Sequence, residues 1–162
     1  MESINKKECF ETFLEELLKW HKESTKSDDN DLSKLKVLKL LFLWVSKDKE
    51  LLNIFNNFVS WELWPVEKDI YDDIINDELE YYKVTNNNLV LKIAKIKNTD
   101  KSKEIAKKIL ENLKKQNIDL IKFSASYLVD ITHKWSCWKL TQSFWIDKIS
   151  SDLILSEKGY FS

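Results

Sequence analysis

The residues with the most chemical reach in this sequence are two histidines and two cysteines. His133 and Cys137 stand four apart, while Cys9 and His21 lie far upstream and loosely spaced. A zinc site needs about four such ligands, usually delivered as tightly spaced pairs, so this set makes a poor match. No metal and no cofactor are expected; Cys137 reads as a small buried hydrophobe and His133 as a residue at a helix C-terminus. Asp130 and His133 are three apart, on one helical face, where a carboxylate could orient a histidine acting as general base. Acyl or phosphoryl chemistry also needs a nucleophile and an oxyanion donor converging on that base. Ser124, Ser126, Thr132 and Ser136 read instead as helix and capping residues. A hydrolase using Asp130 and His133 therefore stays an alternative, and a protein that is not an enzyme is the expectation.

The tryptophans are the second group with reach. Trp135 and Trp138 flank Cys137, and Trp61 and Trp64 stand just before Pro65. Clustered indoles suit a protein-binding hot spot, because each buries a large area and keeps one donor. The competing reading, core packing at the ends of elements, is favoured by how deeply tryptophan is buried on average. Asp28, Asp29 and Asp31 form an acidic stretch that lacks the glycine and closing glutamate of a calcium loop. Tyr81-Tyr82-Lys83 resembles a base-stacking surface, yet strand packing explains it better.

Composition excludes more than it suggests. The 162 residues hold one glycine, Gly159, and one proline, Pro65. Phosphate-cradling loops, dinucleotide fingerprints and nucleophile elbows all need glycines and cannot be built here. The net charge is −1, and every basic side chain other than the two histidines is lysine. Without arginine the forked contacts that read guanine and phosphate are missing, which argues against a nucleic-acid partner. Two cysteines make no disulfide framework, and the first residues carry no apolar signal core, so the cytoplasm is the expected compartment.

The elements that must position these residues are mainly helical. A central helix predicted over 33–46 is apolar from Val37 to Val45 at every position except Lys39, with lysines in its first turns; it must be enclosed by other elements and is too short to cross a membrane. Asp31 is its expected cap. Phe10, Phe13, Leu14, Leu17, Leu18 and His21 predict an amphipathic first helix over 4–23. Asp48 is expected to cap a short helix carrying Leu51 to Val59, and Pro65 to open another running to about Asn76. A single small β-hairpin is expected over 80–93, around Thr85-Asn-Asn-Asn88. Asp100 should cap a lysine-coated helix, followed by helices over 124–133 and from Ser136 through Trp138, Leu140, Phe144 and Trp145. A short ending over 149–155 completes the chain. The expected fold is mainly α: a compact multi-helix domain around the central helix, in one domain over 1–162.

Three stretches resemble, together and in order, the blocks of one family. They are Leu35-Lys-Val-Leu-Lys-Leu-Leu-Phe42, then Phe58-Val-Ser-Trp-Glu-Leu-Trp-Pro-Val-Glu-Lys-Asp-Ile-Tyr71, then Leu128-Val-Asp-Ile-Thr-His-Lys-Trp-Ser-Cys-Trp138. The chain is similar in these to the Panacea, or SocA-like, antitoxin domain, also found in phage-associated proteins. The resemblance covers 32–161, with 1–31 as an N-terminal helix and acidic loop. It departs from the pattern at Trp64, where the family has a glycine before Pro-Val. The resemblance implies a non-enzymatic bacterial or phage protein that binds and neutralises a cognate toxin. An adaptor that delivers its partner to a protease, or a phage regulatory protein on the same fold, is the alternative it also implies. The motif or partner-binding positions are then Trp61, Trp64, Pro65, Tyr71, Asp130, His133, Trp135 and Trp138. Neither the resemblance nor the residues fix the oligomeric state.

Overall fold

The computed structural model describes residues 4–61, 64–94, 97, 99–143, 147–157, 159 and 161, with backbone only for Trp61, Trp64, Ser136 and 141–143. The protein is mainly α. Its helices are α1 (Lys6–Thr25), α2 (Lys34–Val45), α3 (Lys49–Ile54), α4 (Lys68–Ile75), α5 (Asp100–Gln116), α6 (Ala125–His133), α7 (Ser136–Ser143) and α8 (Ser151–Ser156). One 3-10 turn, Leu120–Lys122, joins α5 to α6. Two antiparallel hairpins complete the described structure: β1 (Phe58–Trp61) with β2 (Trp64–Glu67), and β3 (Tyr82–Val84) with β4 (Leu89–Leu91).

Helix α2 is the axis of the fold, as its composition predicts. Every side chain from Lys36 to Val45 is buried. A helix apolar on all sides has no preferred face, so it is stable only when elements cover it all round. Here α5 and α6 pack along it, β2 crosses it, and α1 closes the remaining side. Trp44 stacks on Phe13 of α1 at 4.4 Å, and Phe42 meets Phe58 and Trp135 edge-on at 5.6 and 5.0 Å. Helix α1 is thus part of the core, giving it Cys9, Phe10, Phe13, Leu14, Leu17 and Trp20.

Several local expectations are corrected. Ser33, not Asp31, caps α2, its hydroxyl accepting the Lys36 N–H; Thr99, not Asp100, caps α5. The helix begun at Asp48 ends at Ile54, and Phe58 and Val59 lie in β1. Pro65 does not open a helix. It sits in β2, and α4 begins three residues later with Glu67 as its cap. The register explains why a strand accepts proline here. Lys68 N–H donates to Asn57 O, so the hydrogen-bonded pairs alternate through Val59–Val66, and Ser60 opposite Pro65 is a position where this ladder makes no bond. The Pro65 nitrogen therefore faces away from β1, where no ladder bond is lost. On the opposite edge of β1, Ser60 N–H donates to Asp147 O and Ile149 N–H to Phe58 O. The expected hairpin over 80–93 is present as β3–β4, and the expected helix over 124–133 as α6. Phe144 and Trp145, expected on the next helix, lie outside the described residues. No described helix is long and apolar enough to cross a membrane.

Candidate functional site

The α6–α7 corner holds four of the residues the sequence singles out. Helix α6 ends at His133, and the chain turns tightly: Lys134 N–H donates to Ile131 O and Trp135 N–H to Thr132 O. Helix α7 then starts at Ser136. This turn lays the His133 imidazole flat on the Trp138 indole, with centroids 4.2 Å apart and planes 11° off parallel. Both side chains are partly exposed, and Asp130 lies on the solvent face of α6. The N-terminus of α7 is already served from within the chain, because the Glu157 carboxylate accepts the Cys137 N–H at 3.0 Å. Trp135, between them, points the other way. It is fully buried, edge-on to Phe42 and Phe161, with the Lys47 ammonium 5.4 Å above its ring. Gly159 lies over the same indole at φ +78°, where an added Cβ would come within 3.2 Å of it.

The other candidates go to the core or its edge. Pro65 is buried, and its carbonyl accepts from the Lys39 ammonium at 3.3 Å. Tyr71 is half-buried on α4, with Lys34 Nζ 5.5 Å above its ring. Trp61 and Trp64 pair with each other across the β1–β2 turn; their side chains lie outside the described residues. The structure thus separates the eight positions. His133, Trp138 and Asp130 share a surface corner, whereas Pro65 and Trp135 are packing residues.

Among the described residues, strong electrostatic perturbations lie away from the eight candidate positions. Lys39 is wholly buried in α2, and burial drives its pKa well below the ordinary 10.5. Lys36, one turn earlier, is buried too; its ammonium donates to both oxygens of Asp31, at 2.8 and 2.9 Å, and to Ile121 O at 2.7 Å. Burial lowers its pKa while Asp31 opposes that shift. Asp31 also faces His21 Nε2 at 3.3 Å. Desolvation lowers the His21 pKa, with Lys36 adding to that effect against the pull of Asp31. The cluster fastens α1, the loop before α2, α2 and the 3-10 turn to one another.

Two buried carboxylates do similar work. Glu11 accepts the backbone N–H groups of Glu80 and of Tyr81, the latter at 2.9 Å, pinning β3 to α1. Glu67 accepts from Ile70 N–H at 2.9 Å, Asn57 N–H at 3.2 Å and the Lys6 ammonium at 2.6 Å. Burial raises the pKa of both, against those hydrogen bonds. The signal for such residues was present for the lysines, as lone charges in an apolar helix. It was missing for the glutamates, whose partners are remote in sequence.

Two cavities among the described residues border elements of the core. One of about 160 Å³ is polar and lies between the start of α1 and β3, bordered by Glu8, Glu11, Glu80, Tyr81 and Lys7. The other, of about 40 Å³, lies beside Trp44, Ile109, Leu113 and Phe161, with room for a water or two. Among the described residues, no group of three histidine, cysteine, aspartate or glutamate side chains is placed to hold a metal ion. Compared with protein-family profiles, curated proteins and solved structures, the chain matches none of them.

Proposed function

We propose that this chain is a non-enzymatic, antitoxin-type protein-binding domain, working in the cytoplasm by covering a surface of a partner toxin. What carries the reading is how the three antitoxin-like blocks lie in space. Helix α2 holds the first, β1–β2 and α4 the second, α6 and the start of α7 the third. Helix α2 packs on α6 and on β2, and α6 packs on β2. The contacts among them come from quoted positions: Phe42 on Phe58, Phe42 on Trp135, Lys39 on Pro65. Residues that recur together in order and also form one contiguous core are what a shared fold requires. The blocks then define a scaffold, and partner contact falls to what the scaffold leaves at the surface, including the His133–Trp138 stack.

Co-expression with the product of the neighbouring gene is the test. The expected outcome is a complex that survives purification and restored growth in cells that the neighbouring product otherwise arrests. Absence of both the complex and the growth rescue would remove the antitoxin reading.

A further inference from the structure

Among the described residues, the β3–β4 hairpin has one edge that no other strand covers. Lys92 N–H donates to Tyr81 O and Thr85 N–H to Asn88 O, which fixes the phase of the ladder. Tyr81–Lys92, Lys83–Val90 and Thr85–Asn88 are the hydrogen-bonded pairs; Tyr82–Leu91 and Val84–Leu89 are not. The backbone groups of Leu89, Leu91 and Ile93 therefore point outward from β4. Those of Leu89 are taken on both sides by the Asn30 side chain, at 2.9 and 3.0 Å. Those of Leu91 and Ile93 meet no partner among the described residues. Beside them Val90, Leu91 and Ile93 are 43%, 48% and 48% exposed, three aliphatic side chains in four positions. An open strand edge flanked by exposed aliphatics is a template for another strand.

Charge selects the occupant. Residues 81–97 contain four lysines, Lys83, Lys92, Lys95 and Lys97, and no aspartate or glutamate; Lys92 is paired with Asp77 at 2.8 Å, and Lys83 is exposed on the hairpin. Pairing β4 with a second copy of itself would set two lysine-rich segments side by side, which disfavours that pairing. We propose that the free edge of β4 is the docking site for an extended segment of a partner protein in which acidic and aliphatic residues alternate. That segment adds a strand through main-chain bonds to Leu91 and Ile93, its aliphatic side chains meeting Leu91 and Ile93 and its carboxylates facing Lys83. The proposal rests on the reading of the chain as a protein-binding domain and names the chemistry of its partner.

The test is an NMR titration of the ¹⁵N-labelled full chain with a short synthetic peptide alternating glutamate and valine, beside one alternating lysine and valine. The amides of Leu91 and Ile93 should shift and gain exchange protection with the acidic peptide, less so at high salt, and should not respond to the basic one. Leu91→Pro deletes an outward N–H that the β3 ladder does not use; it should weaken binding by about tenfold or more. Lys83→Glu, an exposed substitution that leaves the fold intact, should weaken the acidic peptide several-fold and favour the basic one. No response at Leu91 and Ile93, equal binding of both peptides, or self-association through those same amides would each overturn the proposal. Peptide binding without any complex with the neighbouring gene product keeps the edge and removes the antitoxin reading. A complex indifferent to Lys83→Glu, with no peptide binding, does the reverse.

Discussion

An ammonium group inside a hydrophobic core must give up hydration or its proton, and Lys39 is placed where that conflict is sharpest. It is completely buried on α2, and its contact with the Pro65 carbonyl is long, at 3.3 Å. Burial holds its pKa well below 10.5 in the folded state. In the unfolded chain it keeps its proton up to about that value. Between the depressed folded pKa and 10.5, the unfolded state binds more protons, so stability rises with pH across that window. Lys36 contributes in the same sense, with Asp31 opposing. Replacing Lys39 by methionine, similar in shape and uncharged, should flatten the rise. Urea unfolding at several pH values between neutrality and 10.5 reads this directly. Parallel slopes for Lys39→Met and the parent would mean that Lys39 stays protonated in the folded state.

Single elements show a different logic, in which one side chain decides where a segment changes type. Glu67 ends β2, caps α4 through the Ile70 N–H, receives the Asn57 N–H across the hairpin and pairs with Lys6 of α1. Three elements therefore meet on one buried carboxylate. Glu67→Ala leaves two N–H groups and an ammonium short of their acceptor. The expected cost is about 3 kcal/mol, roughly 6–12 °C in melting temperature. A loss below about 1 kcal/mol would show that water replaces the carboxylate without strain. This junction also marks where local reading fails. Proline before acidic residues fits a helix start, and Phe58 and Val59 continue an apolar helical pattern. What places them in strands is the partner edge at Asp147–Ile149, nearly ninety residues away, which accepts and donates the outer bonds of β1. The α6–α7 corner was half legible. The helix end at His133 follows from its capping context, but the stack of His133 on Trp138 depends on a turn too tight to foresee. Trp135 reads like its neighbour Trp138 in sequence and ends up on the opposite side, inside the core.

Across the whole molecule, the two thiols report on the same continuity of packing. Cys9 on α1 and Cys137 on α7 are both completely buried, and burial pushes each thiol up to about 12. The thiolate is the reactive form, so neither should be modified while the fold is closed. A disulfide-exchange dye should therefore react with both only as fast as the protein opens, and both rates should follow the denaturant dependence of unfolding. Prompt reaction of Cys137 alone would show that the α6–α7 corner opens independently of α1.

The sequence by itself determined that this is a mainly helical protein built round residues 33–46. The run Val37–Val45, apolar but for Lys39, can be stable only when surrounded, and hydrophobic periodicity is a local property that survives any arrangement of its neighbours. It also excluded glycine-dependent phosphate sites, because the single Gly159 cannot supply the several glycines that such loops need. Only the tertiary structure decided that Pro65 belongs to a strand and that Lys36, Lys39, Glu11 and Glu67 are buried. It alone separated Trp135 inside from Trp138 at the rim, and it alone left the β4 edge beyond Leu89 without a partner among the described residues. Each of those outcomes depends on which distant backbone or side chain arrives beside the residue, and no spacing along the chain encodes that.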